Sequence, residues 1–203
     1  ALAEAIELVC RIEPAEQAIA VLDWSRRTGR LDRDELAALR ERLGPLRWLV
    51  DASVDDCDSP PESLARTRLR AAGLQVSTQV SFTDGTERID LVLEGAVAVE
   101  VDGDEHHRDR FEADRARDLV ITRAGLHAVR PSARHVFTRW PEVQAALERA
   151  LHERGILVVL HNSGVAQLAR PATRRESAPP GLLPRATPEL WRRSPAAGVG
   201  PGE

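Results

Sequence analysis

The stretch RIDLVLEGAVAVEVDGDEHH, Arg88 to His107, decides how the rest of the chain is read. Two apolar runs of period two flank Glu94 and Gly95. In the first, Ile89, Leu91 and Leu93 share one face, while Asp90 and Val92 share the other. In the second, Val97, Val99 and Val101 stand together, opposite Ala98, Glu100 and Asp102. The pattern predicts strands over 88–93 and 96–102. Pairing Leu93 with Val97 leaves Glu94, Gly95 and Ala96 as a three-residue loop, a common hairpin length. That register sets Asp90 opposite Glu100, with Cβ atoms about 5 Å apart. A two-residue loop would send the two carboxylates to opposite faces.

Like charges so close repel. They stay ionised only if a cation or an arginine bridges them; otherwise one takes a proton. A hard divalent cation such as Mg²⁺ suits a few carboxylates completed by water. Arg88, Arg115 and Arg117 could equally neutralise the same acids in a structural network, and spacing alone leaves both readings open. Glu62 stands three residues after Ser59, and by itself it reads as the carboxylate of a capping box. His106 and His107 follow as a loop pair. Adjacent histidines chelate poorly, so a solvated loop is their default and at most one of them acts.

Outward from the hairpin, Val76–Phe82 reads as a strand that turns at TDGT, residues 83–86, into Arg88–Leu93. Residues 108–123 have a charged amphipathic helix pattern stopped by Gly125, and Leu126–Arg130 reads as a fourth strand. A strand joined through a helix to the next strand favours a parallel neighbour. Pro141–Glu153 is a further helix, and Ile156–Leu160 is read as a final strand. The expected fold is α/β, a mixed sheet flanked by helices over 61–160. A small helical segment over 1–54 precedes it, with 55–60 as linker. The tail over 170–203 is Pro-, Arg- and Gly-bearing, has no period and is expected to be disordered.

Composition narrows the classes. The chain has 203 residues, 42% of them hydrophobic but only 3% aromatic, so its core must be aliphatic. Net charge is −4, which provides no global basic field for nucleic acid. All the Lys/Arg-type charge is Arg; no Lys occurs. Cys10 and Cys57 lie far apart without a zinc spacing, so no structural zinc is expected. No run reaches the ~18 apolar residues of a membrane span. No membrane association is expected, and a cytoplasmic protein is.

The segments SPPESLARTRLRAAGL, QVSF, RIDLVLEGAVAVEVDGDEHH and FEADRARDLVITRAGLHAVR resemble a bacterial family of unknown function. That family is related to the very-short-patch repair endonucleases, within the PD-(D/E)XK nuclease superfamily. The resemblance spans about residues 59–153. It implies a restriction-endonuclease-like fold, DNA as partner, and Mg²⁺ or Mn²⁺ held by Asp90, Glu100 and Glu62. Asp90 matches the core metal ligand and Glu100 the acidic member of the (D/E)XK motif. His106 falls where related enzymes carry a general acid/base. Gln79 lies near a position that is often Gln. Arg115 and Arg117 are the candidate DNA contacts. Asp102 occupies the usual lysine position of the catalytic set, which shifts the charge-stabilising work to metal, histidine and Arg117. The helical segment is similar to the middle part of abortive-infection antitoxin-like proteins. That resemblance implies a toxin partner, a regulator that keeps the nuclease scaffold without cutting, and a winged helix preceding Ala1.

Overall fold

The computed structural model describes residues 2–81, 88–103, 111–160 and the pair 192–193. Its first part is helical: α1 (Leu2–Ile12), α2 (Ala15–Arg27), α3 (Arg33–Leu43), a 3-10 turn (Gly44–Leu46) and α4 (Trp48–Ala52). Asp32 starts α3 with a reciprocal capping box. Its carboxylate accepts from Glu35 N at 2.8 Å, and Glu35 Oε2 accepts from Asp32 N at 2.9 Å. Ile6, Ile19, Leu22, Leu39, Leu43 and Leu49 meet in one aliphatic cluster inside this part.

The second part runs α5 (Pro60–Ala71), β1 (Val76–Ser81), β2 (Arg88–Leu93), β3 (Val97–Val99), α6 (Phe111–Arg123), β4 (His127–Val129), α7 (Ala133–Thr138) and α8 (Trp140–Glu153). β1, β2 and β3 form an antiparallel meander, and β4 joins β3 in parallel. The sheet is therefore mixed, as the helical crossover between β3 and β4 requires. Its two faces are covered separately. Leu91, Leu93, Val97 and Val99 pack with Leu64 and Leu69 of α5, Val136 of α7 and Leu147 and Leu151 of α8. Val80, Ile89, Val92 and Ala98 pack with Ile121 of α6 and Leu126.

The β2–β3 register pairs Leu93 with Val97, Val92 with Ala98 and Leu91 with Val99. Glu94, Gly95 and Ala96 form the three-residue loop, with φ of 49° at Glu94 and 65° at Gly95. β3 itself is shorter than the expected 96–102. Beyond Val99 the chain keeps contact with the β4 side through Glu100 N donating to Val129 O at 3.1 Å and Asp102 N to Pro131 O at 3.0 Å.

Several expectations need correction. Among the described residues, Ile156–Leu160 joins no ladder. Leu160 N donates instead to Glu148 Oε1 at 2.6 Å, and Leu157 and Val159 are 79% and 72% exposed. The alternating pattern reflects packing of one side against α8, and β4 already covers the edge of β3. Helix α7 follows Pro131, where the sequence shows only a break; Ser132 caps it. Within the tail expected to be disordered, Arg192 and Arg193 form β5, antiparallel to Ser81 and Val80. The rest of that tail and the 83–86 turn lie outside the described residues. Residues 55–60, read as a linker, join α4 to α5 with side-chain contacts of their own. Cys57 is buried, Asp56 accepts from Thr78 Oγ1, and Asp58 bridges Arg27 and Arg88. Both cysteines are free and buried. Among the described residues no helix is long and apolar enough to cross a membrane.

Candidate acidic site

Ser59 has extended backbone and starts α5, with Pro60 and Pro61 in the first turn. Glu62 N donates to Ser59 Oγ at 3.4 Å. The Glu62 carboxylate does more than close a cap. Oε1 accepts from Ser59 Oγ at 2.7 Å, while Oε2 accepts from Asp58 N at 2.8 Å and from Gln79 Nε2 at 3.0 Å. Helix start and strand β1 thus aim one buried carboxylate at the sheet.

Gln79 is a buried residue at a left-handed φ of 47°. A non-glycine residue there costs roughly 1–2 kcal/mol. Such strain persists only where surrounding contacts over-determine it, and it gathers at functional sites. Gln79 stands between the pairs Thr78–Leu91 and Val80–Ile89, level with Asp90. The alternation of β1 changes there: Val76 belongs to the core under α5, and Val80 to the core under α6.

Asp90 Oδ2 reaches across to accept from Val101 N at 3.0 Å. Glu100 is 5% exposed. Its Oε2 pairs with Arg117 Nη2 at 2.6 Å, while its Oε1 is buried without a hydrogen-bond partner. Arg117 Nη2 also donates to the Arg88 carbonyl. The arginine of the crossover helix therefore neutralises one acid of the hairpin, one of the two options left open by the spacing.

The electrostatics bind these groups together. Burial pushes the Glu62 carboxyl up to about 7, and the charge of Asp90 adds to this. Burial likewise pushes Glu100 up to about 7, again aided by Asp90 and opposed by Arg117. Asp90 is raised by burial and lowered by the Val101 N–H and by Arg117. Asp90 is thus the shared neighbour of two further carboxylates from different elements. Like charges in a desolvated pocket raise one another in this way when no cation compensates them. Among the described residues, however, no group of three or more His, Cys, Asp or Glu is placed so that it could hold a metal ion.

The other sequence candidates fall around this centre. Asp102 is half-buried and is used through its backbone. It bridges Ser132, and its carbonyl accepts from Ala133 N at 2.8 Å. Arg115 is exposed on α6. Gln79, a candidate DNA contact, is instead buried against Glu62. His106 lies outside the described residues. Asp58 was not anticipated. It raises both Glu62 and Asp90 by its charge and carries Arg27 and Arg88 on its carboxylate. The only signal for it was the acidic run before Ser59, which has the composition of a linker.

No family model, no curated protein and no solved structure matches the chain.

Proposed function

We propose that the protein is a metal-dependent DNA endonuclease or nickase with a restriction-endonuclease-like core. The observation that carries this reading is that Glu62 of α5 and Glu100 beyond β3 are each buried and each raised by the charge of Asp90 of β2. Buried acids with no lysine nearby favour a divalent cation, Mg²⁺ or Mn²⁺, and the unpartnered Glu100 Oε1 is a ready ligand atom. Asp90 and Glu100 are the candidate direct ligands, and Glu62 a third, directly or through water. Such a cation neutralises charge on a phosphoryl transition state and acidifies a water. Gln79 fixes the Glu62 carboxylate, and Arg117 supplies the fixed positive charge that the missing lysine would have given. His106 is assigned proton transfer on the family resemblance alone.

Calorimetric titration of wild type and Asp90→Ala with Mn²⁺ tests the reading. The expected result is binding to wild type, its loss in the variant, and Mg²⁺-supported cutting of supercoiled DNA by wild type only. Cutting by Asp90→Ala at the wild-type rate overturns it.

A second reading rests on the Arg117–Glu100 pair, which already neutralises one acid. On it, the protein is a DNA-binding regulator of antitoxin type, with a toxin partner, that keeps the scaffold without cutting. Salt-dependent DNA binding without cleavage in either metal selects this reading.

A further inference from the structure

A phosphodiester approaching Glu62, Asp90 and Glu100 meets negative charge, in a chain whose net charge is −4. Any DNA-directed activity needs a local positive rim. The structure holds one at Asp58, where two arginines from separate parts of the chain share a single carboxylate. Arg27, in the last turn of α2, contacts Oδ1, and Arg88, first residue of β2, contacts Oδ2. Their side chains are 39% and 43% exposed, so both guanidinium groups face solvent while anchored. The triad of Arg27, Arg88 and Asp58 by itself carries one excess positive charge, on the outer side of the buried Glu62 and Asp90. Each planar fork also keeps donors beyond the one group that meets Asp58.

The position of this pair relates it to the acids. The Asp58 backbone N–H holds Glu62 Oε2, and the Asp58 charge is felt at Asp90. The Arg88 carbonyl is bonded by Arg117, which holds Glu100. Arg27 and Arg88 therefore stand at the rim of the acidic site.

We propose that Arg27 and Arg88, set side by side by Asp58, grip a backbone phosphate of DNA at the mouth of the acidic site, so that the N-terminal helical part contributes directly to DNA binding. This rests on the DNA-directed reading above, but not on catalysis. Asp58 is a positioning residue. It orients both forks in the free protein and gives way to the phosphate in the complex.

The test is fluorescence anisotropy of a short labelled DNA duplex over a salt series, in EDTA and again with Ca²⁺. It compares wild type, Arg27→Gln, Arg88→Gln, Asp58→Asn and the remote control Arg149→Gln. The expected result is binding about fivefold to tenfold weaker for each of Arg27→Gln and Arg88→Gln, with the salt slope reduced by about one. Arg149→Gln binds as wild type. Asp58→Asn, which removes the competing anion and keeps the backbone bond to Glu62, binds tighter. A merely structural role for the triad predicts the opposite sign there. Thermal melts confirm folding of each variant. Wild-type affinity in both arginine variants overturns the proposal and leaves the DNA-directed reading standing. No DNA binding by wild type in either condition overturns both.

Discussion

At Glu62 and Glu100 burial sets a measurable pH dependence. Both carboxyls are pushed up to about 7 in the folded protein, from an ordinary value of 4.5. The folded state therefore holds protons that the unfolded chain releases. The sign follows: the contribution of these two groups to stability is fully present below about pH 4.5 and is lost as pH rises through 7, where both ionise inside the fold. Urea unfolding in EDTA is expected to give a free energy lower by about 5 kcal/mol at pH 8 than at pH 5 on account of these two groups. Glu100→Gln should remove about half of that difference. If a cation occupies the site, Mn²⁺ restores stability at pH 8 and does little at pH 5, because protonated carboxyls are poor ligands. Glu100 was legible in its alternation with valine, whereas the spacing of Glu62 from Ser59 read only as a helix cap. Their degree of burial was not, because it depends on helices that come from elsewhere in the chain.

Among the elements, the β2–β3 hairpin carries the site. A period-two pattern with an acid on each strand admits two registers, and only the three-residue loop brings Asp90 level with Glu100. Gly95 permits that loop at φ 65°, and a Cβ added there meets nothing within 4 Å. Its contribution is then backbone freedom alone. Gly95→Ala is expected to destabilise by about 1 kcal/mol in urea, without changing the chemical shifts of the β2–β3 amides beyond the loop. Register change in that variant would show as loss of the Val101 N–H bond to Asp90. This hairpin, helix α8 and the parallel partner β4 were all readable from period and punctuation. Helix α7 was not, because six residues hold too little pattern to be distinguished from a loop. Ile156–Leu160 misled for the opposite reason: a strand-like alternation can come from packing one side on a helix, with no ladder partner.

In the whole molecule, the helical part and the sheet part meet through a buried ion pair. Asp23 of α2 takes Arg66 of α5 at 2.8 Å, accepts from Ser63 Oγ, and receives the Val54 N–H at 2.7 Å. Arg66 also donates to the Ala52 carbonyl at 3.0 Å. Burial raises the Asp23 carboxyl despite these partners. Removing one member strands the other in a dry interface, which costs about 3–5 kcal/mol. Arg66→Ala is therefore expected to lower urea stability by that order, and Asp23→Leu combined with Arg66→Met to recover most of it. Ser63 adjoins Glu62, so the same contact steadies the start of α5. The helical segment thus supports the start of α5 and places Arg27 on Asp58.

The sequence by itself determined the α/β class, the aliphatic core, the hairpin register and the acids on it. Those depend on periodicity and loop length, which are local. Tertiary structure alone decided that Arg117, of the arginines on offer, takes Glu100, that Gln79 turns inward onto Glu62 and that Asp58 carries Arg27 and Arg88. Each of these is a contact between residues distant in the chain. Its energy comes from desolvation and charge pairing after the sheet and helices have closed, and no spacing in the sequence records that.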